Sequence, residues 1–145
     1  MQSRSCRHMA AASLCLCVMF SVPAGIAGEP AALAAGKDAA VKIPSSALEM
    51  RIFLPSNYDP AQTWPAIFFY PGMNAEPSTT FLQQSTGGRD FILVGMPCLE
   101  PGTQTRTAEE HKEYLKKEME NLRKARGWVG QNVRADEQSA YLGGV

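Results

Sequence analysis

Trp64-Pro65-Ala66-Ile67-Phe68-Phe69-Tyr70-Pro71-Gly72-Met73-Asn74 is the stretch whose reading decides the fold. Ala66 to Tyr70 is a continuous apolar run bounded by prolines. A run that short, rich in aromatic and branched side chains, reads as a strand buried on both faces. Pro71 cannot donate to a ladder and Gly72 tolerates backbone angles that other residues avoid, so the strand ends in a tight turn. In open α/β sheets ligands sit beyond the carboxyl ends of the strands, which makes this turn the first place to look for chemistry.

Downstream, Pro77 suits the first turn of a helix. A short helix is expected from Pro77 to Gln84, closed by Gly87-Gly88. Asp90 to Gly95 is a second apolar strand, so the order is β-α-β and the two strands pair in parallel. Thr107-Ala108-Glu109-Glu110 is a capping box. The helix it opens is expected to run to Arg126, with Gly127 as its stop and Leu115, Met119 and Leu122 as its apolar stripe. Glu113–Lys117 and Glu120–Lys124 are spaced as i, i+4 pairs on its wet side. Ser139 to Gly143 is a third strand. Upstream, Ser46 to Leu54 alternates, with Leu48, Met50, Ile52 and Leu54 on one side. It reads as a half-buried antiparallel strand near the sheet edge, ended by Pro55.

The chain has 145 residues, 45% of them hydrophobic and 19% charged, with fourteen basic and fourteen acidic side chains. Zero net charge gives no support to nucleic-acid binding. Arg4 and Arg7, the apolar stretch Met9–Val22 and the small residues Ala24-Gly25-Ile26-Ala27 have the layout of a secretory signal peptide cut after Ala27. The apolar stretch is shorter than the roughly 20 residues of a membrane-spanning helix. Localisation is therefore expected to be secreted or periplasmic, with no stable membrane insertion after cleavage. Residues 28–45 read as a flexible lead-in and 46–145 as the folded domain. Three of the four cysteines lie in the leader, which leaves Cys98 with no intrachain partner.

Three segments resemble the secreted esterases and polyhydroxyalkanoate-depolymerase-like members of the α/β-hydrolases. Leu54-Pro55-Ser56-Asn57-Tyr58-Asp59-Pro60 with Trp64-Pro65 is similar to that family's first strand and the loop before its next strand. Phe69-Tyr70-Pro71-Gly72-Met73-Asn74 sits where the family has its oxyanion loop, with Pro71 in place of the usual His. Tyr141-Leu142-Gly143-Gly144-Val145 is similar to the strand entering the nucleophile elbow, G-x-S-x-G. The resemblance implies an α/β fold, the N-terminal half of a hydrolase sheet: mostly parallel strands, an antiparallel edge strand and flanking helices. It implies a serine hydrolase acting on small-molecule or polymeric esters, without a cofactor or metal.

It also implies the roles of particular residues. The backbone N–H of Met73, after the Gly72 turn, is the candidate oxyanion donor. Gly144 and Val145 are the first two positions of the elbow. The nucleophile, acid and His follow the elbow serine in this family, so they fall beyond Val145 and the chain alone is expected to be inactive. Two other readings stand beside this one: a complete, non-catalytic hydrolase-like module, or a fragment of a prolyl-oligopeptidase-type peptidase. His111, in a Glu/Lys-rich helix, reads as a solvated surface side chain. Cys98 reads as a loop or buried thiol. No His, Cys and carboxylate cluster has ligand spacing.

Overall fold

The computed structural model describes residues 33–72, 75–99 and 106–144. The expected leader, residues 1–27, lies outside them, as do Met73 and Val145. Five strands and two helices follow one another: β1 Asp38–Lys42, β2 Glu49–Phe53, β3 Trp64–Tyr70, α1 Thr80–Thr86, β4 Ile92–Gly95, α2 Ala108–Asn132 and β5 Ala135–Gly144. They form one mixed sheet in the order β1-β2-β4-β3-β5. β1 with β2 and β2 with β4 are antiparallel; β4 with β3 and β3 with β5 are parallel.

β3 lies between β4 and β5 and is packed on both faces. Trp64, Ala66 and Phe68 join the larger core with Met50, Ile52, Leu54 and the α2 residues Leu122, Ala125 and Val129. Ile67 and Phe69 point the other way, into a smaller core with Phe53, Leu93 and Leu82 of α1. This two-sided burial is what the unbroken apolar run demands. Pro65 is accommodated by a register shift between Trp64 and Ala66 opposite β5, because a proline inside a central strand has no N–H for the ladder.

The loop between β2 and β3 is locked by its own side chains. Tyr58 Oη donates to the Val133 carbonyl at 3.1 Å and Trp64 Nε1 donates to the Asp59 carbonyl at 2.9 Å. An Asp59 carboxylate oxygen takes the Ala61 N–H at 2.8 Å. The Leu54–Pro60 segment is thus a pinned turn that fixes where β3 begins.

Four expectations need correction. The 28–45 stretch, read as a flexible lead-in, contains β1. Its Asp38-Ala39-Ala40-Val41-Lys42 has too little apolar contrast to stand out, but β1 zips along β2 from Asp38↔Phe53 to Lys42↔Glu49. The antiparallel strand expected at the edge therefore lies one place inside it. Gly127 does not stop α2, which continues to Asn132. Ala125 and Val129 are fully buried, and their packing outweighs the roughly 1 kcal/mol that an interior helical glycine costs. Finally, the buried face of α2 is Glu118, Asn121, Leu122, Ala125 and Val129, while Leu115 and Met119 are 48% and 56% exposed.

The capping box and the Gly87 stop hold, but Pro77 lies ahead of the first helix, which is capped at Thr79 and runs Thr80–Thr86, not Pro77–Gln84. Thr107 Oγ1 accepts the Glu110 N–H at 3.2 Å and the Glu110 carboxylate accepts the Thr107 N–H at 2.8 Å, closing the capping box. Gly87 ends α1 in the left-handed region at φ 68°. Lys124 pairs with Glu120 at 2.9 Å, but Glu113 pairs with Lys116 at 3.4 Å, not with Lys117.

Gly127 gives a direct test of the α2 correction. A Cβ there would meet nothing within 4 Å. Gly127→Ala is expected to stabilise the protein by about 1 kcal/mol, read from urea unfolding. A loss of stability would mean that the helix breaks there in solution.

Candidate active site

The parallel strands β3, β4 and β5 all end at one rim of the sheet, and the residues singled out in the sequence converge there. Tyr70 lies opposite Gly144 in the β3–β5 ladder. A Cβ on Gly144 would stand 3.3 Å from the Tyr70 carbonyl oxygen, so glycine lets the two strand ends close up. The chain leaves β3 through Pro71 and Gly72, and the Gly72 carbonyl accepts the Ala75 N–H at 3.0 Å. The Gly72 turn and the exit of β5 are therefore neighbours on the same rim. Met73 and Val145, the outer members of each pair, lie outside the described residues.

The far side of the Gly72 turn is anchored twice. A Cβ on Gly95, the last residue of β4, would fall 2.6 Å from Ser78 O and 2.7 Å from Ser78 N. The backbone at Ser78 thus rests directly on the end of β4, in space that only a glycine leaves. Thr79, fully buried, donates its hydroxyl to Asp38 Oδ2 at 3.0 Å and accepts from Gln83 Nε2 at 2.7 Å. Asp38 Oδ1 takes Arg51 Nε at 3.1 Å. Asp38, at the start of β1, is a positioning residue that the sequence did not reveal. Its only signal there was an isolated acid beside a lysine in an alanine-rich stretch.

Behind the β3 and β4 exits lies a polar cluster built on α2. Glu118 is buried, and its Oε1 accepts both the Leu99 N–H at 2.8 Å and the Tyr114 hydroxyl at 2.7 Å. Cys98 Sγ donates to the Pro71 carbonyl at 3.8 Å. The loop after β4 is thereby tied both to α2 and to the Gly72 turn. Burial, then the Glu118 carboxylate, raises the Cys98 thiol above its ordinary range. A thiol held protonated in this way is a poor nucleophile. Arg106 stacks over the Tyr114 ring, 3.9 Å from its centroid. His111 is exposed on α2 and stacks at 6.4 Å on Tyr114. No group of three or more metal-binding side chains occurs among the described residues.

The tyrosines here give the fold a defined alkaline limit. Burial raises the phenols of Tyr58, Tyr70 and Tyr114, and Glu118 adds to the rise at the last two; Tyr114 is pushed up to about 12. The folded state then holds phenolic protons that the unfolded chain releases near the ordinary value of 10.0. Stability from these groups is fully present below pH 10 and falls as pH rises through Tyr114's value of about 12. Thermal melts from neutral to strongly alkaline pH should show Tm falling as the phenols titrate above pH 10, with the Cys98 thiol, raised from 9.0, beginning the fall earlier. Glu118→Gln should bring the Tyr114 titration, followed by ultraviolet absorbance, down towards 10. An unmoved titration would show that the carboxylate has no part in the shift.

No protein-family model matches the chain, and no curated protein matches it. The sheet does resemble solved structures of a CE1 ferulic acid esterase from Anaeromyces mucronatus. One, in complex with ferulic acid, aligns with a TM-score of 0.50 and 17% identity over 74% of this chain. The other, without substrate, aligns with a TM-score of 0.52 and 16% identity over 74% of this chain. At that identity the likeness is one of fold: this is an α/β protein whose mixed sheet is similar to that of an esterase. The chain spans less than half of those esterases, 47% and 48% of their lengths.

Proposed function

We propose that this chain is the N-terminal half of a secreted serine hydrolase acting on ester bonds, with its nucleophile immediately beyond Val145. The observation that supports this most is the side-by-side placement of the Gly72 turn and the exit of β5, with Tyr70 opposite Gly144. Acyl transfer by a serine enzyme needs a hydroxyl within reach of the carbonyl carbon and an oxyanion donor within reach of the oxygen of the same carbonyl. A serine following Val145 would stand at the end of β5, and the Met73 N–H would follow the turn next to it. When the hydroxyl attacks, the ester carbonyl oxygen becomes an anion. A backbone donor at that place would receive the charge; losing such a donor typically costs about 3–4 kcal/mol in the barrier. The general base and the acid that orients it would come from residues after the elbow. Residues 1–27 would act as the export leader, and the substrate would be a small-molecule or polymeric ester. The ferulic acid bound by the structural neighbour makes aromatic acyl esters the first class to try.

The test is to express two proteins, one ending at Val145 and one continuing through the in-frame codons that follow it. Both are assayed on an aryl acetate and on a methyl ester of ferulic acid. The shorter protein should leave both esters at the background rate, and the longer one, carrying Ser-x-Gly after Val145, should cleave at least one. A continuation without Ser-x-Gly, or an inert longer protein, would overturn the proposal.

A further inference from the structure

We infer that Glu118 is a positioning residue for the Gly72 turn: reaching in from α2, its buried side chain fixes the exits of β3 and β4 relative to one another. This rests on the reading above, in which the oxyanion donor follows that turn.

α2 has two unlike parts. From Ala108 to Lys117 every residue is exposed except the half-buried Tyr114. Glu118 is the first α2 residue to be buried, so it marks where the helix meets the body of the fold. Further along, apolar side chains make that junction, at Leu122, Ala125 and Val129. Here a carboxylate makes it. Glu118 is 9% exposed, and its Oε2 has no hydrogen-bond partner among the described residues. A buried carboxylate with an unused oxygen weakens a fold unless its other contacts compensate. Those contacts gather at the rim. Oε1 accepts the Leu99 N–H at 2.8 Å and the Tyr114 hydroxyl at 2.7 Å.

Two routes lead from Glu118 to the turn. The first runs through the loop after β4. Leu99 is bonded to Glu118, its neighbour Cys98 donates to the Pro71 carbonyl at 3.8 Å, and Pro71 leads into Gly72. The second runs through Tyr70, the last residue of β3. Its ring packs on the α2-side core, and burial, then the Glu118 charge, raises its phenol. The phenol and the carboxylate are therefore close neighbours. Tyr70 is also the residue opposite Gly144 at the exit of β5. Asp38 secures the Ser78 side of the turn through Thr79, and Glu118 secures the Pro71 side. Such control bears on rate, because a displacement of about 1 Å at a catalytic group can slow a reaction about 100-fold.

Glu118→Leu and Glu118→Gln separate position from charge. Leucine fills similar space and accepts nothing. Glutamine keeps an acceptor for the Leu99 N–H and the Tyr114 hydroxyl while removing the charge. In the protein ending at Val145, Glu118→Leu should quicken amide exchange at Leu99 and Ala75 about tenfold, as expected for the loss of one buried hydrogen bond, and leave β4 slow. Ala75 reports on the turn because its N–H closes onto the Gly72 carbonyl. Glu118→Gln should leave both amides unchanged. In the in-frame longer protein, Glu118→Leu should lower kcat on the aryl acetate about 10- to 100-fold at constant KM, and Glu118→Gln should restore most of it. If Glu118→Leu fails to fold, Tyr70→Phe takes its place; it should quicken exchange at Ala75 and not at Leu99. An Ala75 amide that does not respond would overturn the inference. So would a kcat that falls equally in the Leu and Gln variants while Ala75 stays protected, because charge and not position would then be the cause. A longer protein that is inert on esters, with Leu99 and Ala75 still responding, would refute the catalytic reading and leave the hold of Glu118 on the turn standing.

Discussion

Gly95→Ala is expected to cost about 3 kcal/mol in urea unfolding, the upper end of the usual overpacking range. The added methyl would sit 2.6 Å, 2.7 Å and 2.8 Å from the O, N and C atoms of Ser78. These are backbone atoms, so no side-chain rotamer relieves the clash. Either β4 moves or the Ser78 segment lifts. β4 is held on both flanks, by β2 and β3, and Ile92, Leu93 and Val94 are fully buried. The segment is therefore the part that yields. Lifting it pulls Thr79 from Asp38 and releases the far end of the Gly72 turn. The substitution should consequently speed amide exchange from Ala75 to Thr79 more than exchange in β3. A cost under 1 kcal/mol would show that the loop does not rest on β4 in solution. Gly127→Ala makes the matching control, since the same added methyl meets open space there and the sign should reverse.

How much of this was legible in the sequence depended on whether the signal was local. The β3 run, the Gly87 stop and the Thr107–Glu110 box are each written in a few adjacent residues, and each forms as read. The Gly72 turn and the end of β5 could be paired only through the family resemblance, because their adjacency is a matter of ladder register across more than seventy residues. What was lost was decided by packing at a distance. β1 has weak patterning and exists because β2 offers it a partner. Gly127 looks like a stop until Val129 is seen in the core. The Leu115–Met119–Leu122 stripe is a valid helical period, yet α2 is rotated so that Glu118 and Asn121 face inward and Leu115 and Met119 outward. The reason for that rotation is partly polar: Glu118 takes the Leu99 N–H and the Tyr114 hydroxyl, which no hydrophobic pattern can register. Gly95 is the clearest instance for the site. Its role is to leave room for the backbone at Ser78, seventeen residues earlier, and a missing side chain carries no pattern at all.

Asp38→Ala is expected to cost about 2 kcal/mol, with most of the loss arising at Thr79 and little at Arg51. Two partners are removed together, and their magnitudes differ. The Arg51 side chain is 39% exposed and that of Asp38 is 26% exposed; ion pairs this open to water are worth about 0–1 kcal/mol. Thr79 is fully buried, and its hydroxyl would lose the only acceptor it donates to among the described residues. A buried donor left without a partner costs about 1–3 kcal/mol. Arg51→Ala should therefore cost under 1 kcal/mol. Thr79→Val, which removes the donor itself, should make a following Asp38→Ala much milder, giving a coupling of about 1 kcal/mol in a double-mutant cycle. Equal losses for Asp38→Ala and Arg51→Ala would instead make the surface ion pair the source. If the burial argument is right, the loss has a place as well as a size. Exchange should quicken across Ala75–Thr79 and stay slow in α2, because the one thing the first strand's carboxylate does at the rim is hold down the loop that follows the Gly72 turn.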